Sequence, residues 1–293
     1  LLVLGTVLFP VMKAARPLCL AALGALVLCL PMAYGVRQEA PTQPEWMEKV
    51  TKDRPGKFVN VPACELSYHM SWNGIVKAGE ATLQLGKPDP EAPKLMLGIC
   101  KGKSSGIAKR LWYYKNLFKS RVEPKSLRPV SFEANEIEKK EQIFTKALFA
   151  NGVVTSTETV KRKGRKDKTK ERVFAYDHAH DLLSTVLYLR SLPLNNGDEI
   201  NMVVHPFKSA YFTKFKVLGR ETFKSALGEK KAIKIQIKLY KIDRDNLELK
   251  SYEKFKKATI WISEDDYRMP LEVRSEVFIG SVRASLKSRK PIK

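Results

Sequence analysis

The segment Asp177-His178-Ala179-His180-Asp181 carries the residues best suited to metal chemistry. On a strand, histidines at positions i and i+2 point to the same face, so both imidazoles would bind one divalent ion beside the flanking carboxylates. A catalytic zinc needs a third protein ligand, and the other histidines of the chain are His69 and His205. Asp181 is also well placed to cap the helix that follows. The pattern therefore favours a polar, helix-capping loop over a metal site at His178 and His180.

Residues for nucleophilic catalysis are not found in a convincing arrangement. Ser184 lies within an apolar helical stretch, and no G-x-S-x-G elbow surrounds Ser184 or Ser263. The carboxylates Asp265 and Asp266 fall in a predicted turn, where aspartate is common for backbone reasons. The sequence also contains no P-loop and no G-x-G-x-x-G. It therefore predicts no catalytic residues and no cofactor, and it favours a protein that is not an enzyme.

A dense run of positive charge lies between Lys161 and Arg172, with eight basic residues and two acidic ones. We interpret it as a basic loop with affinity for anionic surfaces, in contacts that salt weakens. It holds no aromatic side chain to stack on bases, so nucleic acid is not the expected partner. A solvated hairpin tip is the simpler interpretation. The residues predicted to bind anions are Lys161, Arg162, Lys163, Arg165, Lys166 and Lys168.

Residues 1–35 have the three parts of a secretory signal. Lys13 and Arg16 supply the positive start, Leu18–Leu30 forms an apolar core, and Ala33-Tyr34-Gly35 gives small residues at the end. The apolar core of about 13 residues is shorter than the roughly 20 that a membrane span needs. We therefore expect export to the periplasm or cell envelope of a bacterium.

The net charge of the chain is +22, and removing residues 1–35 changes it little. This excess attracts anions such as lipid head groups or acidic polysaccharides. It concerns the partners of the protein and does not indicate its fold.

Cys64 and Cys100 are the cysteines that lie outside the predicted signal. In an oxidising envelope they would pair and stabilise the fold by roughly 3–4 kcal/mol. The alternative is two small buried thiols in neighbouring strands, and the sequence leaves both open. Two cysteines are too few for a thiolate metal site.

Alternation of apolar and polar residues predicts strands along most of the chain. It is clearest in Cys64–Trp72, where every second residue from Cys64 onward is apolar. Asn73-Gly74 follows, and the alternation resumes over 80–85, which predicts a hairpin. The convincing helix is Asp181–Leu192, which Pro193 ends. Many short strands and one main inserted helix favour a mostly β fold, either a single curved antiparallel sheet or a half-open barrel.

Three groups of short motifs follow one another along the chain. They are Leu66-x-Tyr68, Trp72-x-Gly74-Ile75 and Ala78-Gly79-x-Ala81-Thr82-Leu83; then Asp181-Leu182-Leu183-Ser184 and Gly197-Asp198; and last Trp261-Ile262-Ser263-x-Asp265, Arg268-x-Pro270-Leu271 and Gly280-Ser281-Val282. In this order they resemble the bacterial family called domain of unknown function 3108. Its members are exported and have no assigned reaction, so the resemblance implies location and fold. The curved sheet is similar, by fold analogy alone, to the half-barrels of lipoprotein carriers.

A set of large apolar residues would line a ligand groove if the sheet forms a half-open barrel. In a closed sandwich the same residues are core, whereas in an open one they would hold an acyl chain, with the helix Asp181–Leu192 on one side. The residues of this predicted groove are Tyr68, Met70, Trp72, Leu83, Trp112, Tyr188 and Trp261.

The patterns divide the chain into a signal peptide at 1–35, with its start at Met12, a polar leader at 36–60 and an antiparallel β domain at 61–288. The leading hypothesis is an envelope binding or carrier-like protein for a lipid, a lipoprotein or an envelope glycan. Peripheral contact with an anionic membrane is part of this hypothesis. The alternatives are a metal-dependent envelope hydrolase that uses His178 and His180, and a structural adaptor that pairs through a sheet edge.

Overall fold

The computed structural model describes residues 43–111, 113–252, 257–276 and 280–292. The predicted signal peptide and Trp112 lie outside the described residues. Within these ranges, no helix combines the length and the apolar character that a membrane span requires.

The described residues form sixteen strands, two helices and one 3-10 turn, which confirms the predicted mostly β fold. The first eight strands are β1 (Cys64–Trp72), β2 (Val76–Pro88), β3 (Met96–Ser104), β4 (Tyr114–Val122), β5 (Pro129–Glu138), β6 (Glu141–Ala150), β7 (Val153–Arg162) and β8 (Arg165–Ala175). The others are β9 (Ala179–His180), β10 (Glu199–Val204), β11 (Tyr211–Ser225), β12 (Gly228–Ile242), β13 (Leu249–Ser251), β14 (Lys257–Ser263), β15 (Pro270–Glu276) and β16 (Ser281–Pro291). The helices are α1 (Gly106–Leu111) and α2 (Leu182–Ser191), and the 3-10 turn is Glu45–Met47.

The strands form one sheet that does not close on itself. β1 to β8 are neighbours in chain order, and β1 also pairs with β16, from which the sheet continues through β15, β14, β12, β11 and β10 to β9. β13 pairs with β12 beside this path. Neighbours are antiparallel except for β9 and β10, which are parallel. The free edges of the described sheet are therefore β8 and β9, as expected for an open antiparallel sheet.

Period-two alternation and turn chemistry explain the hairpins. In β1, the buried apolar residues from Cys64 to Met70 alternate with half-buried polar ones, and the strand has the predicted limits. Asn73 and Gly74 adopt φ angles of 50° and 75°, a region that asparagine and glycine tolerate better than other residues. The hairpin predicted at this turn is confirmed by the pairing of β1 with β2.

Helix α2 fills the interior of the curved sheet, and all of its residues are buried. Asp181 caps it, since Oδ1 accepts hydrogen bonds from the N–H groups of Leu183 at 2.7 Å and Ser184 at 2.8 Å. Ser120 of β4 donates to Asp181 Oδ2 at 2.5 Å and so ties the helix to the sheet. Burial raises the pKa of Asp181 to about 6, although these hydrogen bonds lower it. The predicted cap is confirmed, and its carboxylate also anchors the helix.

Residues 43–60 are part of the fold, so the prediction of a separate polar leader is wrong for them. Trp46 is buried, and its ring lies 5.6 Å from those of Tyr176 and Phe212. Its Nε1 donates a hydrogen bond to the carbonyl oxygen of Leu247 at 2.8 Å. The sequence did not show this role because the apolar residues of the segment are scattered and recur with neither the period of a strand nor that of a helix.

Side chains, rather than backbone pairing, bridge the gap between the two ends of the sheet. The Phe174 ring of β8 lies 6.1 Å from the ring of His205, which follows β10. Glu158 of β7 forms an ion pair with Lys208 at 3.5 Å. Among the described residues no backbone ladder joins β8 to β9. We refer to this contact zone as the seam.

We expect Trp46→Ala to lower the free energy of unfolding by about 3–5 kcal/mol, because it removes a large buried side chain and leaves a cavity. Urea unfolding of the chain without residues 1–35 measures the change. Glu48→Ala, an exposed neighbour, is the control and should stay within about 0.5 kcal/mol of the parent. Equal stability of all three proteins would contradict the assignment of this segment to the fold.

His205 should make the protein less stable in mild acid. Burial lowers its pKa from 6.5 to about 4, so the unfolded chain binds a proton in a pH range where the folded protein does not. Above pH 6.5 the imidazole is neutral in both states, and the free energy of unfolding has its full value. As the pH falls from 6.5 to 4, the free energy of unfolding decreases by roughly 3 kcal/mol in total. His205→Gln should therefore decline less than the parent when urea unfolding is compared at about pH 7, 5.5 and 4. Parallel curves for the two proteins would contradict this account.

Candidate functional site

The predicted groove is largely closed core in the described residues. Tyr68, Met70 and Leu83 are buried against the interior, and the Tyr68 hydroxyl donates to the Pro270 carbonyl at 2.9 Å. Tyr188 is buried in α2 and donates to the carbonyl oxygen of Asp53 at 2.8 Å. Helix α2, whose residues are all buried, packs into the same core. Trp72 is half-buried at the edge of the same core.

Trp261 is on the other face of the sheet, so its inclusion in the groove was wrong. Residues directly opposite on neighbouring strands share a face, and Trp261 lies opposite Lys234 and Glu272. The core residues Ile260 and Ile262 therefore point the other way. Phe223 covers the outward-facing ring at 5.4 Å, which explains why it is buried.

Cys64 and Cys100 are buried free thiols. Cys64 lies opposite Leu85 and Cys100 opposite Leu83, so β2 separates the two cysteines. Two strand spacings place their Cα atoms more than about 9 Å apart, beyond the roughly 7 Å limit for a disulfide. Of the two alternatives, a disulfide or two buried thiols, the structure therefore has the thiols. They lie in β1 and β3, which are separated by β2, and not in neighbouring strands as predicted.

The two histidines of the predicted metal site differ in burial and in hydrogen-bond partner. His180 is buried, with Nδ1 3.3 Å from Ser184 Oγ, whereas His178 is half-buried, with Nδ1 3.2 Å from Asp177 Oδ2. Burial lowers the pKa of His180 to about 3. In the part of the chain that the structure describes, no three histidine, cysteine or acidic residues are grouped for metal binding. The hydrolase hypothesis thus receives no support from this arrangement.

One serine motif was missed in the sequence: Gly102-Lys103-Ser104-Ser105-Gly106 has the G-x-S-x-G spacing and lies between β3 and α1. Ser104 Oγ accepts a hydrogen bond from the N–H of Tyr114 at 3.1 Å. Lys103 lies opposite Glu80, and Glu80 opposite His69, so His69 is on the other face from Ser104. The serine has no base beside it, and the motif is a structural turn here.

Three separate segments meet in a cavity of about 470 Å³ that is rich in positive charge. Residues 51–55 form one wall, 125–128 after β4 another, and 178–180 with α2 the third. Asp53 is the acid among the described lining residues. We call this cavity the basic pocket; its cationic and imidazole side chains are those of Lys52, Arg54, Lys125, Arg128, His178 and His180.

The charges of the basic pocket act on its histidines. Burial lowers the pKa of His178, and the nearby Arg128 and Lys52 lower it further, against Asp177, which raises it. Arg128 is held in place by hydrogen bonds to the backbone carbonyl and the carboxylate of Asp177. Lys52, Arg54 and Lys125 form no ion pair with a described residue, and their charge is available to an incoming anion. The sequence could not show this pocket because its walls lie about 70 and 50 residues apart in the chain.

The basic run at 161–170 is a hairpin, as in the simpler of the two interpretations of the sequence, and the interpretation as a loop is wrong. β7 continues to Arg162 and β8 begins at Arg165, so only Lys163 and Gly164 form the turn. The side chains of β8 are exposed from Arg165 to Glu171, and the strand is a free edge of the described sheet. The predicted anion-binding residues are thus spread over both strands of this hairpin.

The comparisons with known proteins agree with this fold. A family model described as "Protein of unknown function (DUF3108)" matches residues 67–287. The chain belongs to this family. The comparison with curated proteins gave no match. Membership in this family confirms the resemblance seen in the three groups of sequence motifs.

Three of the solved structures that match this chain are proteins of different bacteria. A β-barrel-like protein of domain of unknown function DUF1849 from Brucella abortus has a TM-score of 0.53 at 8% identity, over 80% of this chain and 99% of that one. A putative lipoprotein from Parabacteroides distasonis has a TM-score of 0.33 at 7% identity, over 82% and 100% of the two chains. A putative exported protein with a YmcC-like fold from Bacteroides fragilis has a TM-score of 0.30 at 8% identity, over 81% of this chain and 98% of that one. At 8% identity, the similarity to the Brucella abortus protein concerns the fold alone.

We expect a thiol reagent to find no reactive cysteine in the native protein and two per chain after unfolding without reductant. Both thiols are buried, and burial raises the pKa of Cys100 to about 12, so the reactive thiolate is scarce. Ellman's reagent on the chain without residues 1–35 gives this count, and Cys100→Ser should reduce it to one. An unfolded protein that shows no thiol would reveal a disulfide.

Proposed function

We propose that this protein is an exported envelope protein that binds an anionic ligand in the basic pocket and does not catalyse a reaction. Export is supported by the signal-like residues 1–35, which have a charged start, a short apolar core and small residues at the end. Binding is supported by the basic pocket, and the proposal of a protein without catalysis by the described residues, in which no three potential metal ligands are grouped.

The observation that carries the proposal is the convergence of four cationic side chains from separate segments on one concave surface. The cavity has the size of a small-molecule site, for which about 300–1,000 Å³ is typical. Like charges repel one another, so folding brings Lys52, Arg54, Lys125 and Arg128 together at a cost that a bound anion would offset. Tyr188 and the imidazole of His180 add a partly apolar wall to the site.

A phosphate-bearing group is the ligand that this chemistry fits best. Guanidinium and ammonium groups make charge-assisted hydrogen bonds to phosphate oxygens, and arginine can do so in a bidentate manner. A phospholipid head group, a phosphorylated envelope glycan and free phosphate share this feature. The closed interior argues against a carrier that encloses the acyl chain, so any lipid would be held by its head group.

Isothermal titration calorimetry of the chain without residues 1–35 tests the site, with inorganic phosphate, glycerol phosphate and a sugar phosphate as the probes. Saturable binding is expected, and Lys52→Gln with Arg128→Gln should weaken it at least about tenfold, since each charge-assisted hydrogen bond contributes about 1.5–3 kcal/mol. Lys101→Gln with Lys146→Gln removes the same charge from exposed positions outside the pocket and is the control.

The pattern of the three probes identifies the source of the phosphate. Equal affinity for all three favours free phosphate, whereas tighter binding of glycerol phosphate or of the sugar phosphate favours a lipid head group or a glycan. The proposal fails if no probe binds below about 10 mM, or if the pocket variant and the control variant lose affinity equally.

A further inference from the structure

Four connections at one end of the sheet form a continuous rim. They are the β1–β2 turn, the β3–β4 connection with α1, the β5–β6 turn and the β7–β8 turn. We call residues 73–78, 105–111 with 113, 139–141 and 162–166 the hairpin rim. Contacts run from each part to the next: Ser105 N to Ala78 O at 3.0 Å, Lys139 Nζ to Leu111 O at 2.7 Å, and Arg162 Nη2 to Glu141 Oε2 at 2.5 Å.

Exposed apolar side chains are concentrated on the hairpin rim. Of the eleven large apolar side chains that are exposed among the described residues, five belong to it. Ile75 is 87% exposed, Ile107 63% and Leu111 64%, and Val76 and Tyr113 lie beside them. Soluble proteins rarely cluster such residues without a partner that covers them.

Positive charge surrounds this apolar group. Lys109 and Arg110 lie within α1 itself, between Ile107 and Leu111. The rim cations that form no ion pair with a described residue are Lys109, Arg110, Lys139, Lys140, Lys163, Arg165 and Lys166. The rim's acid, Glu141, is already paired with Arg162. The surface thus joins apolar side chains to uncompensated cations.

We infer that the hairpin rim docks the protein onto an anionic lipid bilayer. Apolar side chains beside basic ones are the combination that binds the membrane interface, where the apolar part enters the head-group boundary and the cations meet phosphates. Ile75, Ile107 and Leu111 would enter this boundary. A bilayer fits better than a single protein partner because the unpaired cations extend along three of the four connections, as a plane of negative charge requires.

This docking surface is distinct from the basic pocket. The pocket lies after the C-terminal end of β4, whereas the hairpin rim lies at its N-terminal end. A strand of nine residues separates them by roughly 30 Å. The pocket therefore faces away from the bilayer, and the two properties can fail independently.

The lysines of β8 have a simpler explanation, which the test must separate from docking. Charged residues on an edge strand prevent pairing with the edge of another molecule. Replacing Lys163, Arg165 and Lys166 with glutamate keeps the edge charged, so this protective role survives. The same variant reverses the attraction to anionic lipid.

Flotation of the chain without residues 1–35 with vesicles tests the inference, using phosphatidylglycerol mixed into phosphatidylcholine against phosphatidylcholine alone. Binding should require the anionic lipid and weaken as salt is raised. Lys163→Glu with Arg165→Glu and Lys166→Glu should reduce binding at least about 100-fold, since each cation near an anionic leaflet contributes about fivefold. Ile107→Ser with Leu111→Ser should reduce it at least about tenfold.

Matched controls exist at other exposed positions of the sheet. Lys216→Glu with Lys224→Glu and Lys231→Glu reverses three exposed charges on the β11–β12 hairpin, and Leu148→Ser with Leu218→Ser removes two exposed apolar residues outside the rim. Both controls should float like the parent. A parent that does not float, or rim variants that float as well as their controls, would overturn the inference. A concentration-dependent dimer that Ile107→Ser with Leu111→Ser abolishes, without vesicle binding, would instead assign the rim to a second copy of the chain.

Discussion

The structure depends on one constraint: an open, curved sheet must fill its own interior without the help of a closing backbone ladder. Helix α2 meets this need, and the Asp181 carboxylate holds it by capping the first turn and accepting a hydrogen bond from Ser120 of β4. A buried carboxylate is costly to leave unpaired, so these hydrogen bonds are what make it tolerable there. The same helix then occupies the volume in which a carrier of this shape would hold an acyl chain.

Filling the interior moves the functional surfaces to the two ends of the sheet. At one end, residues 51–55, the loop after β4 and the segment before α2 meet in the basic pocket. At the other end, the turns between strands expose Ile75, Ile107 and Leu111 among cations. Both surfaces are built from connections together with the strand ends beside them, as is usual where a rigid scaffold positions binding groups.

The sequence predicted the elements whose buried and exposed residues alternate, and it missed the rest for physical reasons. β1 and the α2 cap follow from local patterns of apolar residues and from capping chemistry, and both are as predicted. The first half of β8, up to Lys170, was interpreted as a loop because Lys166, Lys168 and Lys170 alternate with other polar residues, so the period of two carries no hydrophobic signal. Trp261 was assigned to the wrong face although the buried Ile260 and Ile262 flank it. The basic pocket has no local signal, since its charges become neighbours only through folding.

The pairing of β1 with β16 has a consequence for when the protein can fold. Cys64 lies opposite Pro291, so the strand that joins the two halves of the sheet finds its second neighbour only at the far end of the chain. Such distant pairing is slow, because the entropy of closing a long loop is lost before the contacts between the strands stabilise the chain. A chain emerging from a ribosome or a translocation channel can pair β1 with β2 early, but β1 stays without its second neighbour until β16 has emerged. The two halves of the sheet are therefore joined late, by β16 (Ser281–Pro291).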